Sequence, residues 1–271
     1  MFIILTVLYK KTLSNSATLQ GIIKSAEILN TLSSKLLLWD NSPEKFSNDE
    51  LEHLNFALTN FKYVHTPANI ALSKIYNTII QHEVKENNFK YLMLLDDDSN
   101  IEPEYFKKAI SSANNNYPLI IPIVTNRGVI RSPMRSYIIK GFPFSHINPG
   151  IFPSKNLMAI NSGMIISFNF LRSTNFQYDE RLRNYATDSY FMKFYASKNK
   201  SLYVLDYTFD HSLSFFDNED ITSKLSIFKQ TKSAFLIIHS DNPINFIMAL
   251  AYNFMSSLKH AIKHRNLQFF K

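Results

Sequence analysis

Three consecutive carboxylates, Asp96, Asp97 and Asp98, end a short apolar run, Tyr91-Leu92-Met93-Leu94-Leu95. Adjacent carboxylates repel one another and cost solvation energy if buried unpaired. Such a group is either a solvated acidic turn or the seat of a cation. Hard oxygen donors suit Mg2+ or Mn2+, and those ions commonly bridge to phosphate oxygens. Far downstream, Asp188 opens the aromatic stretch Ser189-Tyr190-Phe191-Met192. Aspartate at such a position is a helix cap or a base that takes a proton from a hydroxyl. Asp210 and His211 follow another apolar run, and a lone histidine there is an ordinary packed residue or a ligand. Tyr9 offers a flat face for stacking a base, and Asp40 an acceptor for a ring N–H. Arg127, Arg131 and Arg135 form either a solvated basic loop or a clamp for a phosphate or carboxylate.

These groups need elements to hold them. The run 91–95 is apolar on both faces and short, which predicts a strand covered on both sides. Similar runs lie at 2–8, 35–39, 61–64 and 119–124. Helical stretches lie between them at 15–33, 69–85 and 103–115, the last opening with Pro103 after Glu102. Strand–helix alternation implies an α/β fold with a single, mostly parallel sheet flanked by helices. Ligands of such sheets sit beyond the carboxyl ends of the strands. Tyr9, Asp40 and the aspartate triplet each stand just after a strand, so they are predicted to share one rim. Residues 125–156 carry Pro133, Pro143, Pro149 and Pro153 and are predicted to be largely irregular. Strands resume at 157–167 and 202–205.

A chain of 271 residues, 45% of them hydrophobic, can bury one large core plus a small appendage. The absence of cysteine excludes disulfides, thiolate metal sites and cysteine nucleophiles, and fits a reducing compartment. No run reaches the roughly 18 apolar residues of a membrane-spanning helix. The apolar start, residues 1–8, lacks a basic leader and cleavage site and reads as a first strand. With five glycines there is no Walker or Rossmann phosphate loop, so phosphate must be held another way. The net charge of +7 is concentrated: residues 221–271 hold seven Lys or Arg and one acid, Asp241. A nearly neutral body argues against nucleic acid as a partner. In the tail, the apolar stretch 242–255 precedes basic residues Lys259, Lys263 and Arg265. That pattern predicts a helix lying on an anionic membrane surface, or packed on the domain or in a homodimer.

Taken in order, the motifs resemble those of the family 2 inverting glycosyltransferases with the A-type glycosyltransferase fold, especially their rhamnosyltransferase-like branch. Ile4-Leu5-Thr6-Val7-Leu8-Tyr9 resembles the opening strand whose threonine and tyrosine contact the nucleobase. Trp39-Asp40-Asn41-Ser42 is similar to the aspartate turn that binds the base, and 69–77, with Lys74, to the helix beside the diphosphate. Leu95-Asp96-Asp97-Asp98 resembles the Asp-X-Asp motif for ribose and metal. Ala159-Ile160-Asn161-Ser162-Gly163 is similar to the strand beneath donor sugar and acceptor, and Thr187-Asp188 occupies the place of the catalytic aspartate. His211-Ser212-Leu213 resembles a late histidine near metal and diphosphate.

The resemblance implies a catalytic domain over 1–220, with nucleotide binding in about 1–125 and acceptor binding in about 126–220, followed by a basic amphipathic helical tail over 221–271. It implies transfer of a sugar from a UDP- or dTDP-sugar to a hydroxyl of a saccharide or lipid-linked acceptor, in surface polysaccharide biosynthesis. Asp188 would be the base, and Thr6, Tyr9, Asp40, Lys74, Asp96 and Asp97 would bind the donor. Asp98 and His211 would hold Mn2+ or Mg2+, and Asn161 and Arg131 would face the acceptor. The place implied is the cytoplasm, peripheral to the inner face of the cell membrane. Two other classes fit the triplet: a metal-dependent phosphoryl or nucleotidyl transferase, and a non-catalytic nucleotide-sugar-binding protein. Against the first, phosphatases place an Asp-X-Asp nucleophile after their first strand, and Leu8-Tyr9-Lys10-Lys11 lacks a nucleotidyltransferase's glycines.

Overall fold

The computed structural model describes residues 2–32, 34–137, 140–211 and 220–270. The predicted apolar runs are strands: β1 (Phe2–Leu8), β2 (Lys35–Asp40), β3 (Phe61–His65), β4 (Tyr91–Asp96) and β5 (Leu119–Asn126). Further along come β6 (Val129–Ser132), β7 (Met134–Tyr137), β8 (Lys140–Pro143), β9 (Gly150–Pro153), β10 (Leu157–Met158), β11 (Met164–Ser167) and β12 (Ser201–Asp210). Nine of the described strands form one sheet in the order β3-β2-β1-β4-β11-β5-β12-β9, with β6 hydrogen-bonded to β5. The β3-β2-β1-β4 half is parallel, and β11 enters antiparallel between β4 and β5. A small antiparallel sheet, β10-β7-β8, stands apart.

Strand residues alternate between two cores, as the period of two requires. Ile3, Leu5, Leu92 and Leu94 pack on one face with α4 (Leu72–Glu86), α6 (Phe168–Thr174) and α7 (Thr187–Lys198). Phe2, Ile4, Met93 and Leu95 pack on the other with α1 (Ala17–Lys24), α3 (Asn48–Ala57) and α5 (Pro103–Ala113). The chain ends in α8 (Ile221–Ile238), α9 (Pro243–His264) and a 3-10 turn (Leu267–Phe270). A cluster of Phe228, Ala261 and Phe269, with Leu225 against it, joins the tail elements.

Several expectations are corrected. The predicted irregular segment 125–156 is largely β-structure. Arg127 and Gly128, at φ 51° and 75°, form the two-residue turn of the β5–β6 hairpin, the left-handed pair that matches strand twist. The prolines read as breakers stand between or at the ends of short strands, where no ladder donor is lost. The run 157–167 is two strands, split where Gly163 turns at φ +78°. A Cβ there would lie 2.6 Å from Pro122 Cγ. The stretch 15–33 breaks at Ser25, whose hydroxyl bonds the Gly21 carbonyl at 2.7 Å, before a short α2 (Ala26–Thr31).

Candidate functional site

The strand register builds the rim. Leu8 lies beside Asp40, and Val7 beside Asp96, so Tyr9, Asp40 and the triplet leave the sheet together. Because β11 is antiparallel to both β4 and β5, the strand direction is restored at β5, and β12 runs parallel to it. His211 therefore emerges on the same rim, its backbone N–H bonded to the Thr125 carbonyl at 2.9 Å. Residues 212 and 213 of the late motif lie outside the described residues.

The triplet turn is held from α1. The Ser16 hydroxyl donates to the Asp97 carbonyl at 2.7 Å, the Thr18 hydroxyl donates to the Asp96 carbonyl, and the Ser99 N–H donates to Thr18 Oγ1 at 2.9 Å. Gly21 permits this approach, since a Cβ there would lie 2.1 Å from the Ile101 carbonyl oxygen. His211, buried, closes the turn. Its Nδ1 lies 3.3 Å from Asp98 Oδ1 and 3.3 Å from Ser99 Oγ, and its Nε2 lies 3.6 Å from Asp96 Oδ2.

Charge is crowded here. Burial, then Asp98, Asp97 and Asp188, push the Asp96 carboxyl up to about 8, although 39% of its side chain remains open to water. Burial and Asp98 push Asp97 up to about 6, against the pull of Lys11 and the Tyr9 N–H. Burial lowers His211, which favours the neutral imidazole a metal needs, while Asp98 and Asp210 oppose it. An imidazole nitrogen beside two carboxylates is a donor set that fits Mn2+ or Mg2+. Among the described residues no group of three or more His, Asp or Glu is arranged to hold a metal ion by itself.

Asp188 reaches this rim from across the sheet. The segment before it docks on α4: Asn77 Nδ2 donates to the Tyr178 carbonyl at 3.0 Å, the Tyr178 N–H to Asn77 Oδ1 at 2.8 Å, and the Leu72 N–H to the Arg183 carbonyl at 2.8 Å. Asn161 Nδ2 donates to Thr187 Oγ1 at 2.8 Å, which ties the segment after β10 to the start of α7. Of the two readings of Asp188, the helix cap is not the one observed. The cap is Ala186, at φ 65°, and Asp188 sits in the first turn with Oδ1 accepting from the Ser189 N–H at 2.6 Å. Burial raises its carboxyl above the ordinary range.

Other expected residues stand differently. Tyr9 is exposed at the rim. Thr6 and Asp40 are both 0% exposed and present no surface for direct contact as they stand. Asp40 instead accepts from the Ser42 N–H at 3.0 Å and the Tyr63 hydroxyl at 2.6 Å, which fixes the turn beside Tyr9. Lys74 is exposed and precedes Tyr76 by two residues, roughly 200° around the helix. Tyr76, buried on α4, is the residue that feels Asp96 and Asp188, and sequence reasoning passed over it. It also passed over Tyr178, buried and influenced by Asp188. A tyrosine on the apolar face of an amphipathic helix was the available signal. Arg131 lies half-buried in β6, and Arg135 stacks over the Phe144 ring at 5.0 Å.

The architecture and its rim define the A-type glycosyltransferase fold, a central, mostly parallel sheet flanked by helices, here with C-terminal helices. S. aureus TarS residues 1–349 in complex with UDP matches with a TM-score of 0.59 at 13% identity, over 92% of this chain and 68% of that one. GalNAc-T7 with UDP, GalNAc and Mn2+ matches with a TM-score of 0.58 at 10% identity, over 99% of this chain and 59% of that one. The longer S. aureus TarS structure matches at 0.57 and 12% identity, over 89% of this chain but only 39% of its own length. At these identities the likeness is one of fold. No protein-family model and no curated protein matches the sequence.

Proposed function

We propose that the protein is an inverting glycosyltransferase of family 2 type, moving a sugar from a UDP- or dTDP-sugar to a hydroxyl of a saccharide or lipid-linked saccharide in surface polysaccharide biosynthesis. The observation that carries the reading is the meeting of Asp96, Asp98, His211 and Asp188 at one rim of a fold shared with UDP-bound structures. Tyr9 stacks on the base, with the Asp40 turn holding its position. Asp96 and Asp97 bind the ribose. Asp98 and His211 would hold Mn2+ or Mg2+, and the chemistry such an ion supplies is neutralisation of the leaving diphosphate. Asp188 takes the proton from the acceptor hydroxyl. The hydroxyl oxygen bonds to the anomeric carbon as the bond to the diphosphate oxygen breaks, which inverts that carbon in one displacement. Asn161 positions the start of α7, and Arg131 lies on the acceptor side. Thr6, from within β1, and Lys74, exposed on α4, are assigned to the donor side, as the resemblance implies.

No described helix is long and apolar enough to cross a membrane. The α9 helix leaves Ile244, Ile247, Phe254 and Ile262 exposed, beside Lys259 and Lys263. That face supports reversible attachment to an anionic membrane surface from the cytoplasm. Removal of residues 245–271 should abolish co-sedimentation with anionic vesicles and spare donor hydrolysis, while an insoluble product would make the face a core or dimer contact instead. The function itself is tested by thermal-shift screening of nucleotide sugars with Mn2+ or Mg2+. Stabilisation confined to UDP- or dTDP-sugars supports it, and no response to any sugar nucleotide contradicts it.

A further inference from the structure

Between Glu104 and Asp179 the sequence carries eight Lys or Arg and no Asp or Glu. Five of the eight fall within 127–155, the stretch that holds β7 and β8. The body is therefore nearly neutral only in sum. The register of β7 and β8 sets Arg135 opposite Phe142 and Tyr137 opposite Lys140. Directly opposed residues of an antiparallel pair share a face, as do residues two apart. One face of the pair thus carries a checkerboard in which each cation stands opposite a ring. Met134, Ser136 and Gly141 are left for the other face, where Met158 of β10 stands opposite Met134. That face is closely packed: a Cβ on Gly141 would lie 3.1 Å from Met134 Cε and 3.4 Å from Met158 Sδ.

The checkerboard face is open. Tyr137 and Phe142 are 59% and 43% exposed, and Arg135 and Lys140 are exposed as well. The two rings meet edge to face at 5.6 Å. Lys140 lies over Phe142 at 5.3 Å, and Arg135 over Phe144 at 5.0 Å. Among the described residues neither cation makes an ion pair. Exposed cation–π contacts are weak, and charge-assisted bonds to an anion are stronger. A ligand that covers this face must offer flat surface and negative charge together. A saccharide ring presents C–H bonds, whose slight positive charge suits the negative face of an aromatic ring. A carboxylate or phosphate on that saccharide supplies the charge, and a guanidinium meets either with paired N–H donors. The face also leads toward Asp188. Tyr137 and Lys140 line a cleft of about 1290 Å³ between the small sheet, α7 and the tail helices. Ala186 and Ser189, which bracket the Thr187-Asp188 pair, line it too.

We propose that the open face of β7 and β8 binds an acidic saccharide chain, with its anionic groups on Arg135 and Lys140 and its rings on Tyr137 and Phe142. The charge-assisted bonds hold the acid groups, and the exposed rings are covered by the sugar faces. As an assignment of the acceptor, this rests on the glycosyl-transfer reading above and narrows it to acid-bearing glycans; as a binding surface, it does not depend on that reading.

The test measures binding of a galacturonic acid oligomer to the full chain by calorimetry. A neutral maltodextrin of the same length, polyglutamate of the same charge and an oligothymidylate of the same charge probe sugar alone, charge alone and nucleic acid. The galacturonate oligomer should bind at least about tenfold tighter than each. Its affinity should fall as salt is added. Arg135→Gln and Lys140→Gln should each weaken it about fivefold, the upper range for one exposed ion pair. Tyr137→Ser should weaken it as well, whereas Lys24→Gln, exposed on α1, should leave it unchanged. Co-sedimentation with anionic vesicles should be the same in all four variants. The proposal is overturned by no measurable binding of the galacturonate oligomer or by equal binding of any comparison probe. It is equally overturned by unchanged affinity in both cation variants or in Tyr137→Ser, or by an equal loss in Lys24→Gln. Loss of vesicle binding in the cation variants would give the face to a membrane and overturn it too. UDP binding with Mn2+, measured on the same preparations, reports on the donor separately. Its absence from wild type removes the acceptor assignment and leaves the saccharide-binding face standing.

Discussion

The rim after β4 gathers Asp96, Asp97, Asp98 and Asp188 within reach of one another's charge, whereas the cleft beneath the tail gathers lysines with no acid in its described lining. The first region is deficient in positive charge and the second in negative charge. Asp188 lies between them, at the start of α7. The two regions also differ in how they are built. The rim hangs on a sheet with a large core on each face, while the tail elements share a small cluster and leave an apolar face open. A site whose geometry must hold against repulsion needs the rigid support. A surface that meets a partner does not.

The sharpest way to break this comparison is at Asp188. Asp188→Asn should lower turnover by a factor on the order of 10² or more while leaving UDP binding nearly normal. Because burial raises this carboxyl, it stays protonated to a higher pH than a free aspartate. Turnover should therefore fall as pH drops, on a limb lying above the usual aspartate value of about 3.9. Stability runs the other way. Between the unfolded and the raised folded value, the folded chain holds a proton that the unfolded chain has released, so stability is lost as pH rises through that window. Asparagine never ionises, and the variant should be at least as stable as wild type at pH 7. Turnover profiles and denaturant melts on both proteins check this.

A second contrast sets body against tail. Leu94→Ala, in the middle of β4, should cost about 2–5 kcal/mol of global stability. Phe228→Ala, in the tail cluster, should leave the main unfolding transition in place and speed hydrogen exchange in α8 and α9. A common loss in both would show that tail and body unfold as one unit. Replacing Lys263 with Gln should weaken binding to anionic vesicles by about 1 kcal/mol, an effect that shrinks with added salt. A change of similar size is expected at Ser47, whose hydroxyl accepts from the Glu50 N–H at 3.3 Å while Glu50 Oε2 accepts from the Ser47 N–H at 3.0 Å. Ser47→Ala should cost about 1 kcal/mol, read from chemical denaturation.

Ser47 also shows where sequence reading stopped short. The capping box Ser47-Asn48-Asp49-Glu50 was there to announce α3, but the stretch is polar and lacks a strong apolar stripe. The buried strands were readable because apolar residues on both faces leave few alternatives, and their register then placed Tyr9, Asp40 and the triplet on one rim. The short strands of 129–153 were not, because prolines at strand ends look like breakers until the pairing is known. Burial was the other blind spot. Thr6 and Asp40 stand near or at strand ends, yet neighbouring strands and Tyr63 enclose them. Tyr76 and Tyr178 enter the site only through the docking of 178–183 on α4, a contact between segments about a hundred residues apart.

The central claim is that the acidic rim binds a nucleoside diphosphate through a divalent cation held by Asp98 and His211. Calorimetric titration of UDP with and without Mn2+, on wild type and Asp98→Ala, tests it most directly. The account predicts Mn2+-stimulated binding in wild type and none in the folded variant. Equal affinity with and without Mn2+ in wild type, or unchanged stimulation in Asp98→Ala, would contradict it.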